Sequence, residues 1–235
     1  MRHQQERSVR TRRRLLRSAA EIFDTEGYVS ARLTDISARA RVSTGALHFH
    51  FACKEDLARA VVEDARKVLW RAARFARPDG AEPLQALVDT SHTISRLLAW
   101  DVASRAGLRL DHGGPGDDGR RFFEAWADCV QELMTAADEQ GHLLPRIQRQ
   151  PLTCAIVSST TGMGVLIKAG MGERMRVALT GFWQGFLPAI AAPEVLERLD
   201  PGGTTDLVEY AVAASCCLPY VPEEAEQAEV ATRVP

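Results

Sequence analysis

The chain has 235 residues, 46% of them hydrophobic, which is enough apolar surface for a sizeable core and excludes a wholly disordered polypeptide. No apolar run reaches the roughly 18 residues a bilayer span needs, and the Arg-rich start leads into an amphipathic segment rather than a signal peptide, so a cytoplasmic protein with no membrane partner is expected. The net charge of −2 hides an asymmetry: residues 1–54 carry eleven basic side chains against five acidic, the remainder eighteen against twenty-six, and a basic head on an acidic body suits a head that meets a polyanion.

Residues 9–26 are predicted to be helical, because Leu15, Leu16, Ala19, Ile22 and Phe23 line one face at helical period. Gly27 suits the left-handed turn that ends such a helix. Thr34 stands where an N-cap is expected, opening a short helix through about residue 40. Arg41 and Val42 form a tight turn, and Ser43 caps a second short helix over residues 45–51. Ile36, Val42, Leu47 and Phe51 supply a shared core, and a longer helix over 54–77 ends before Pro78. Two short, closely joined helices after a longer one form a helix-turn-helix. Such a unit presents the N-terminal residues of its last helix to the DNA major groove while the back of that helix packs on its neighbour.

Beyond Pro78, helices are expected at 83–100, 101–110, 120–140, 151–169, 173–190 and 204–218. The Gly- and Asp-rich stretch 111–119 is expected to be a flexible loop, and residues 219–235 a frayed tail. With no strand alternation and no internal repeat, the fold class is all-α. It divides into a helix-turn-helix domain at 1–54 and a larger helical domain at 55–218. Cys53, Cys129, Cys154, Cys216 and Cys217 form no C-x-x-C and have no histidine at metal-ligand spacing, so reduced, buried thiols are expected and neither a metal nor a cofactor. The chain lacks H-E-x-x-H, P-loop and G-x-S-x-G motifs, and an enzyme is not expected.

The run Glu21-Ile-Phe-Asp-Thr-Glu-Gly-Tyr28, then Leu33-Thr-Asp-Ile36, Val42-Ser-Thr-Gly-Ala-Leu-His-Phe-His-Phe51 and Lys54-Glu-Asp-Leu57 resembles the tetracycline-repressor (TetR) family over about residues 9–60. That resemblance implies an Ω-shaped homodimer of nine- or ten-helix subunits with DNA-binding heads, residues 1–54, at its two feet, and it makes 55–218 the ligand-binding and dimerisation domain. The phrase from Gly45 to Leu57 is most similar to the γ-butyrolactone autoregulator receptors, which control antibiotic production in filamentous soil bacteria. Arg105-Ala-Gly-Leu-Arg-Leu110 and Phe122-Phe-Glu-Ala-Trp126 agree with that subgroup, where a tryptophan at the Trp126 position lines the ligand pocket.

On this resemblance Thr11 and Arg12 are expected to contact phosphate, supported by Arg10, Arg13 and Arg14, although a merely solvated arginine face fits the same pattern. Arg32, Thr34, Ser43, Thr44, Gly45, His48, His50 and Lys54 complete the expected DNA surface. Thr44 stands where the family often has lysine and His48 where it often has tyrosine, so the first-helix arginines would compensate. A metal site at His48 and His50 is unfavourable, because residues two apart on a helix diverge.

The effector is expected to meet Trp126, Val130, Leu110 and one of Thr160 and Thr161. The indole offers a flat wall and an N–H donor for a lactone carbonyl. Alternatively Trp126 is a core residue in a stripe with Phe122, Val130, Leu133 and Ala137, and the hydroxyls from Ser158 to Thr161 bond back along their own helix beside Gly162 and Gly164. Met175, Ala178, Leu179, Phe182, Trp183, Phe186, Leu187 and Ile190 make an apolar face too broad for one-sided packing. A partner subunit against Phe182, Trp183 and Phe186 would cover it, or the protein buries it internally. The combined expectation is a repressor released from a pseudo-palindromic operator by a butyrolactone, butenolide or furan, with helix 54–77 as the lever. The alternative is a repressor of the same build that senses a drug or an antibiotic intermediate.

Overall fold

The computed structural model describes residues 2–111, 122–145, 147–166 and 172–217, and these form helices in the order α1 (Arg2–Ser30), α2 (Leu33–Arg39), α3 (Thr44–His50), α4 (Lys54–Phe75), α5 (Pro83–Trp100), α6 (Val102–Asp111), α7 (Phe122–Glu139), α8 (Arg149–Leu166), α9 (Gly172–Ile190), α10 (Pro193–Leu196) and α11 (Thr205–Cys217). No strand occurs among the described residues; one isolated bridge joins Leu143 and Ala191. The all-α expectation holds. Residues 112–119 of the expected loop and the expected tail at 219–235 lie outside the described residues.

Local chemistry sets most of the helix ends. Gly27 adopts φ 80°, ψ 168°, the break expected there, but helical turns resume to Ser30. Ser43 caps α3, its hydroxyl accepting the Ala46 N–H at 3.1 Å. Thr34 does not cap α2. Arg32 holds the extended cap position with no side-chain bond, and the Thr34 hydroxyl turns to the Asp35 carboxylate at 3.4 Å. The start is set by packing instead: Leu33, Ile36 and Ala40 all face the same apolar cluster, which draws Leu33 into the first turn. The corner between α5 and α6 is closed by Asp101, whose carboxylate accepts from the Ser104 N–H at 2.8 Å and the Ser104 hydroxyl at 2.6 Å. α10, a single turn begun by Pro193, was not anticipated.

Two cores result. The head core gathers Leu15, Ile22 and Phe23 of α1, Ile36 of α2 and Leu47 of α3, and the body core gathers residues of α5, α7, α8 and α9. α4 contributes to both, Leu57, Val61 and Val62 to the head and Val68, Leu69 and Ala72 to the body. α6 also reaches the head, burying Ala106 and Leu110 there. Its arginines grip the end of the first α1 segment: Arg105 pairs with the Asp24 carboxylate at 3.0 Å, and Arg109 donates to the Asp24 carbonyl at 2.5 Å. Cations at a helix C-terminus also complement the helix dipole. The thiols depart from expectation, since Cys53, Cys154 and Cys216 are exposed and Cys129 is half-buried.

The α4–α6 crossing depends on a missing side chain. A Cβ on Gly107 would overlap the methyl of Ala65. Gly107→Ala is therefore expected to destabilise the fold by about 1–3 kcal/mol through overpacking, read as a lower thermal midpoint by circular dichroism.

Candidate functional site

The head presents one exposed tip. Leu47 is fully buried on the back of α3, while Ser43, Thr44, Gly45 and His48 are exposed on its front. Beside them Phe49 is 80% exposed, a residue the sequence reading passed over. Its signal was available, because Phe49 lies out of phase with the buried Leu47 and Phe51 and has no core to enter. Around Gly45 the space is open, with only the Ser43 hydroxyl within 4.0 Å of a notional Cβ.

The structure turns other expected contacts inward. His50 is half-buried between the rings of Phe49 and Phe51, at centroid distances of 5.2 and 6.4 Å. Burial, and after it the nearby Arg12 charge, lowers its pKa below the ordinary histidine value, which favours the neutral ring. The Arg12 guanidinium lies 5.3 Å from the Phe51 ring centre. Lys54 donates to the Val29 carbonyl at 3.1 Å and sits 4.6 Å from the Tyr28 ring centre, so it ties α4 to the end of α1. Arg14 donates to the carbonyl of Arg41, which occupies the left-handed region at φ 53° in the turn between α2 and α3. Thr11 is half-buried; Arg10, Arg13, Arg32 and Thr34 are exposed.

In the body, Trp126 and Thr160 meet, but not as expected. The indole N–H of Trp126 donates to the Thr160 hydroxyl at 2.7 Å, and that hydroxyl donates to the Ile156 carbonyl at 2.8 Å. The donor assigned to a ligand carbonyl is thus already used inside the subunit. Thr161 carries a buried hydroxyl with no partner among the described residues. Val130 is buried in the Trp126 cluster, whereas Leu110 belongs to the head core and is not brought to them. The side chains of Phe122 and Met175 and the surroundings of Gly164 lie outside the described residues.

Trp183 corrects the expected dimer surface. It is 0% exposed, and its indole N–H donates to the Ser91 hydroxyl at 2.8 Å. Leu179, Trp183, Leu187 and Ile190 recur at helical period and face the subunit's own core; Phe182 and Phe186 are half-buried and stacked at 5.0 Å. The outward face of α9 instead carries Ala178, Gly181, Gln184, Gly185, Pro188 and Ala189, flanked by the 63% exposed Val177, and α8 exposes Cys154, Ala155, Ser158 and Gly162.

A half-open cavity of about 1170 Å³ runs along α4 between α1, the α5–α6 corner, α7 and α11. Leu69, Ile94 and Trp126 form its buried floor, and Trp70 and Trp100 its exposed rim. Arg71 and Asp64 project into the same space from α4. Burial raises the Asp64 carboxyl above the ordinary aspartate value; the Arg71 charge opposes this and Asp101 adds to it. Burial also pushes the Cys129 thiol up to about 11, leaving it protonated and a poor nucleophile. Among the described residues no His, Cys, Asp and Glu group could hold a metal ion, and no helix is long and apolar enough to cross a membrane.

A family model described as bacterial regulatory proteins, tetR family, matches residues 15–61. The chain is 33% identical over 208 residues to the A-factor receptor protein of Streptomyces griseus, covering 88% of this chain and 73% of that protein. It superposes on the crystal structure of an ArpA-like γ-butyrolactone receptor with a TM-score of 0.74, at 28% identity over 86% of this chain and 98% of the other. A structure of CprB from Streptomyces coelicolor in complex with its biological operator sequence matches with a TM-score of 0.70, at 28% identity over 89% and 98% of the two chains. These relatives are regulators and not enzymes.

The Asp64 environment has a measurable consequence. Its folded-state pKa is raised, so between the unfolded value of about 3.9 and the folded value the native protein binds more protons than the unfolded chain. Stability falls as pH rises through that window, and the loss persists at neutral pH. Asp64→Asn is expected to raise the thermal midpoint at pH 7, with the gain shrinking as pH is lowered toward about 4 in a differential scanning series.

Proposed function

The chain belongs to the TetR family of bacterial regulatory proteins, and from that membership we propose that it is a homodimeric repressor released from its operator by a small apolar signalling molecule. The observation that carries the reading is the tip of α3, where Thr44, Gly45, His48 and Phe49 stand in solvent on a helix whose back is sealed into the head core. Thr44 and His48 offer hydrogen-bonding groups to base edges or phosphates, and the Phe49 ring an apolar surface for a thymine methyl. Arg10, Arg13 and Arg32 remain exposed for phosphate, the sequence-independent part of affinity. His50, Arg12 and Lys54 then act by holding the tip in place, through the ring contacts and the Val29 carbonyl described above.

The small-residue faces of α8 and α9 support the dimer. A partner's copy of the same two helices can approach closely over Gly162, Gly181 and Gly185, whose surroundings are empty within the subunit. Two heads then meet successive major grooves about 34 Å apart on a pseudo-palindromic site. An effector that binds one spacing of the heads better than the other shifts the population; moving it from 99:1 to 1:99 requires about 5.5 kcal/mol of differential affinity. The coupling runs along α4, which joins both cores, and α6, which grips Asp24.

Similarity to the A-factor receptor and to a γ-butyrolactone receptor supports an effector of butyrolactone, butenolide or furan type and targets among antibiotic-production genes. Footprinting on the DNA upstream of its own gene, followed by mobility shifts with such compounds, tests the whole reading. A protected palindrome released by a compound is expected; an absence of salt-dependent DNA binding sinks it.

Gly45→Val should leave stability within about 0.5 kcal/mol, since the site is exposed, yet lower operator affinity about tenfold by blocking approach to the groove. Gly181→Glu places a charge on the proposed two-fold face, where nothing inside the subunit opposes it. Light scattering should then report a folded monomer, and tight operator binding should be lost.

A further inference from the structure

The cavity beside α4 contains a donor without an acceptor. Among the described residues Arg71 Nε is buried and has no hydrogen-bond partner, although the side chain lines the same space as Trp126, Leu69 and Ile94. Neighbouring cations are engaged: Arg66 and Lys67 pair with Glu63 at 3.6 and 3.5 Å, and Arg77 pairs with Glu132 at 3.6 Å. Burying a polar nitrogen without a partner is costly, and one attached to a guanidinium more so. The indole of Trp126 offers no competing donor, because its N–H is held by Thr160. Cationic side chains outnumber carboxylates seven to five in the cavity lining; the Asp64 carboxyl shares the space and interacts with Arg71 through its charge, yet makes no hydrogen bond to Nε.

We infer that the effector of this protein carries a carboxylate, and that Arg71 is the residue that selects it while the Leu69, Ile94 and Trp126 floor takes its apolar body. The inference rests on the effector-released repressor reading and narrows it from neutral lactones to acids. A carboxylate accepts two parallel N–H bonds from the Nε and Nη edge of a guanidinium, which is a more directional contact than a lactone carbonyl can make. Placement on α4 matters equally. Arg71 lies on the helix whose first turns are fastened to the head by Lys54 and whose middle is set against Gly107 of α6. A bond formed at Arg71 therefore acts on the element that joins cavity to head.

Two matched pairs of probes test it: γ-decalactone with its ring-opened hydroxy acid, and an alkylfuran carboxylic acid with its methyl ester. Titration calorimetry on the full chain at neutral pH should show at least one acid binding about tenfold or more tightly than its neutral partner, the value of a charged hydrogen bond. Arg71→Met should bring acid and neutral partner to equal affinity, and Arg71→Lys should keep part of the preference. A neutral member that binds as tightly as its acid, binding of none of the four, or an acid preference that survives Arg71→Met overturns the inference. The operator footprint, made without probes, reports separately on the repressor reading. If the footprint is present and the lactone or ester releases it as well as the acid does, Arg71 selectivity alone fails.

Discussion

Everything in this structure hangs from the shared burial of one helix. α4 places Leu57, Val61 and Val62 in the head core and Val68, Leu69 and Ala72 in the body core, so neither core can repack without moving it. Interiors packed to crystal-like density respond to displacement as rigid pieces and not as a fluid. α6 reinforces the arrangement by lying across α4 at Gly107 and holding Asp24 through Arg105 and Arg109. The head is thus carried on two helices, one sharing its core with the body and one bolted to the end of its first helix.

Two buried tryptophans show how the body is organised around satisfied donors. Trp126 reaches Thr160 across α7 and α8, and Trp183 reaches Ser91 across α9 and α5. Each indole N–H would be expensive to bury alone, and each finds a hydroxyl that itself donates to a backbone carbonyl, Ile156 for Thr160 and Val88 for Ser91. These short chains lock the relative rotation of the four helices. They also remove Trp126 from the list of free donors, and among the described residues Arg71 Nε is the buried side-chain donor on α4 left without an acceptor.

Legibility of the sequence varied with the range of the interaction concerned. Ser43 was recognisable as a cap because its partner, the Ala46 N–H, is three residues away. The inward face of α9 was recognisable as apolar, but which of its aromatics faced inward was not: Trp183 looked suited to a partner subunit and is wholly internal, while the outward face carries mostly small residues, among them Ala178, Gly181 and Gly185. Thr34 failed as a cap because Leu33 had a place in the head core, a contact made across the chain. Leu110 was grouped with Trp126 by resemblance, yet α6 carries it to the head.

What the residues alone determined was the helical class, the turn at Gly27, the short helix capped by Ser43 and the basic character of the head, since hydrogen-bond spacing, caps and charge are settled within a few residues of chain. Only the folded tertiary arrangement decided that Trp126 donates to Thr160, that Trp183 is sealed inside, that Lys54 fastens two helices and that Arg71 Nε is left without an acceptor. Those outcomes depend on which helix faces meet across large sequence separations, and apolar burial, being non-directional, does not write such pairings into any one segment.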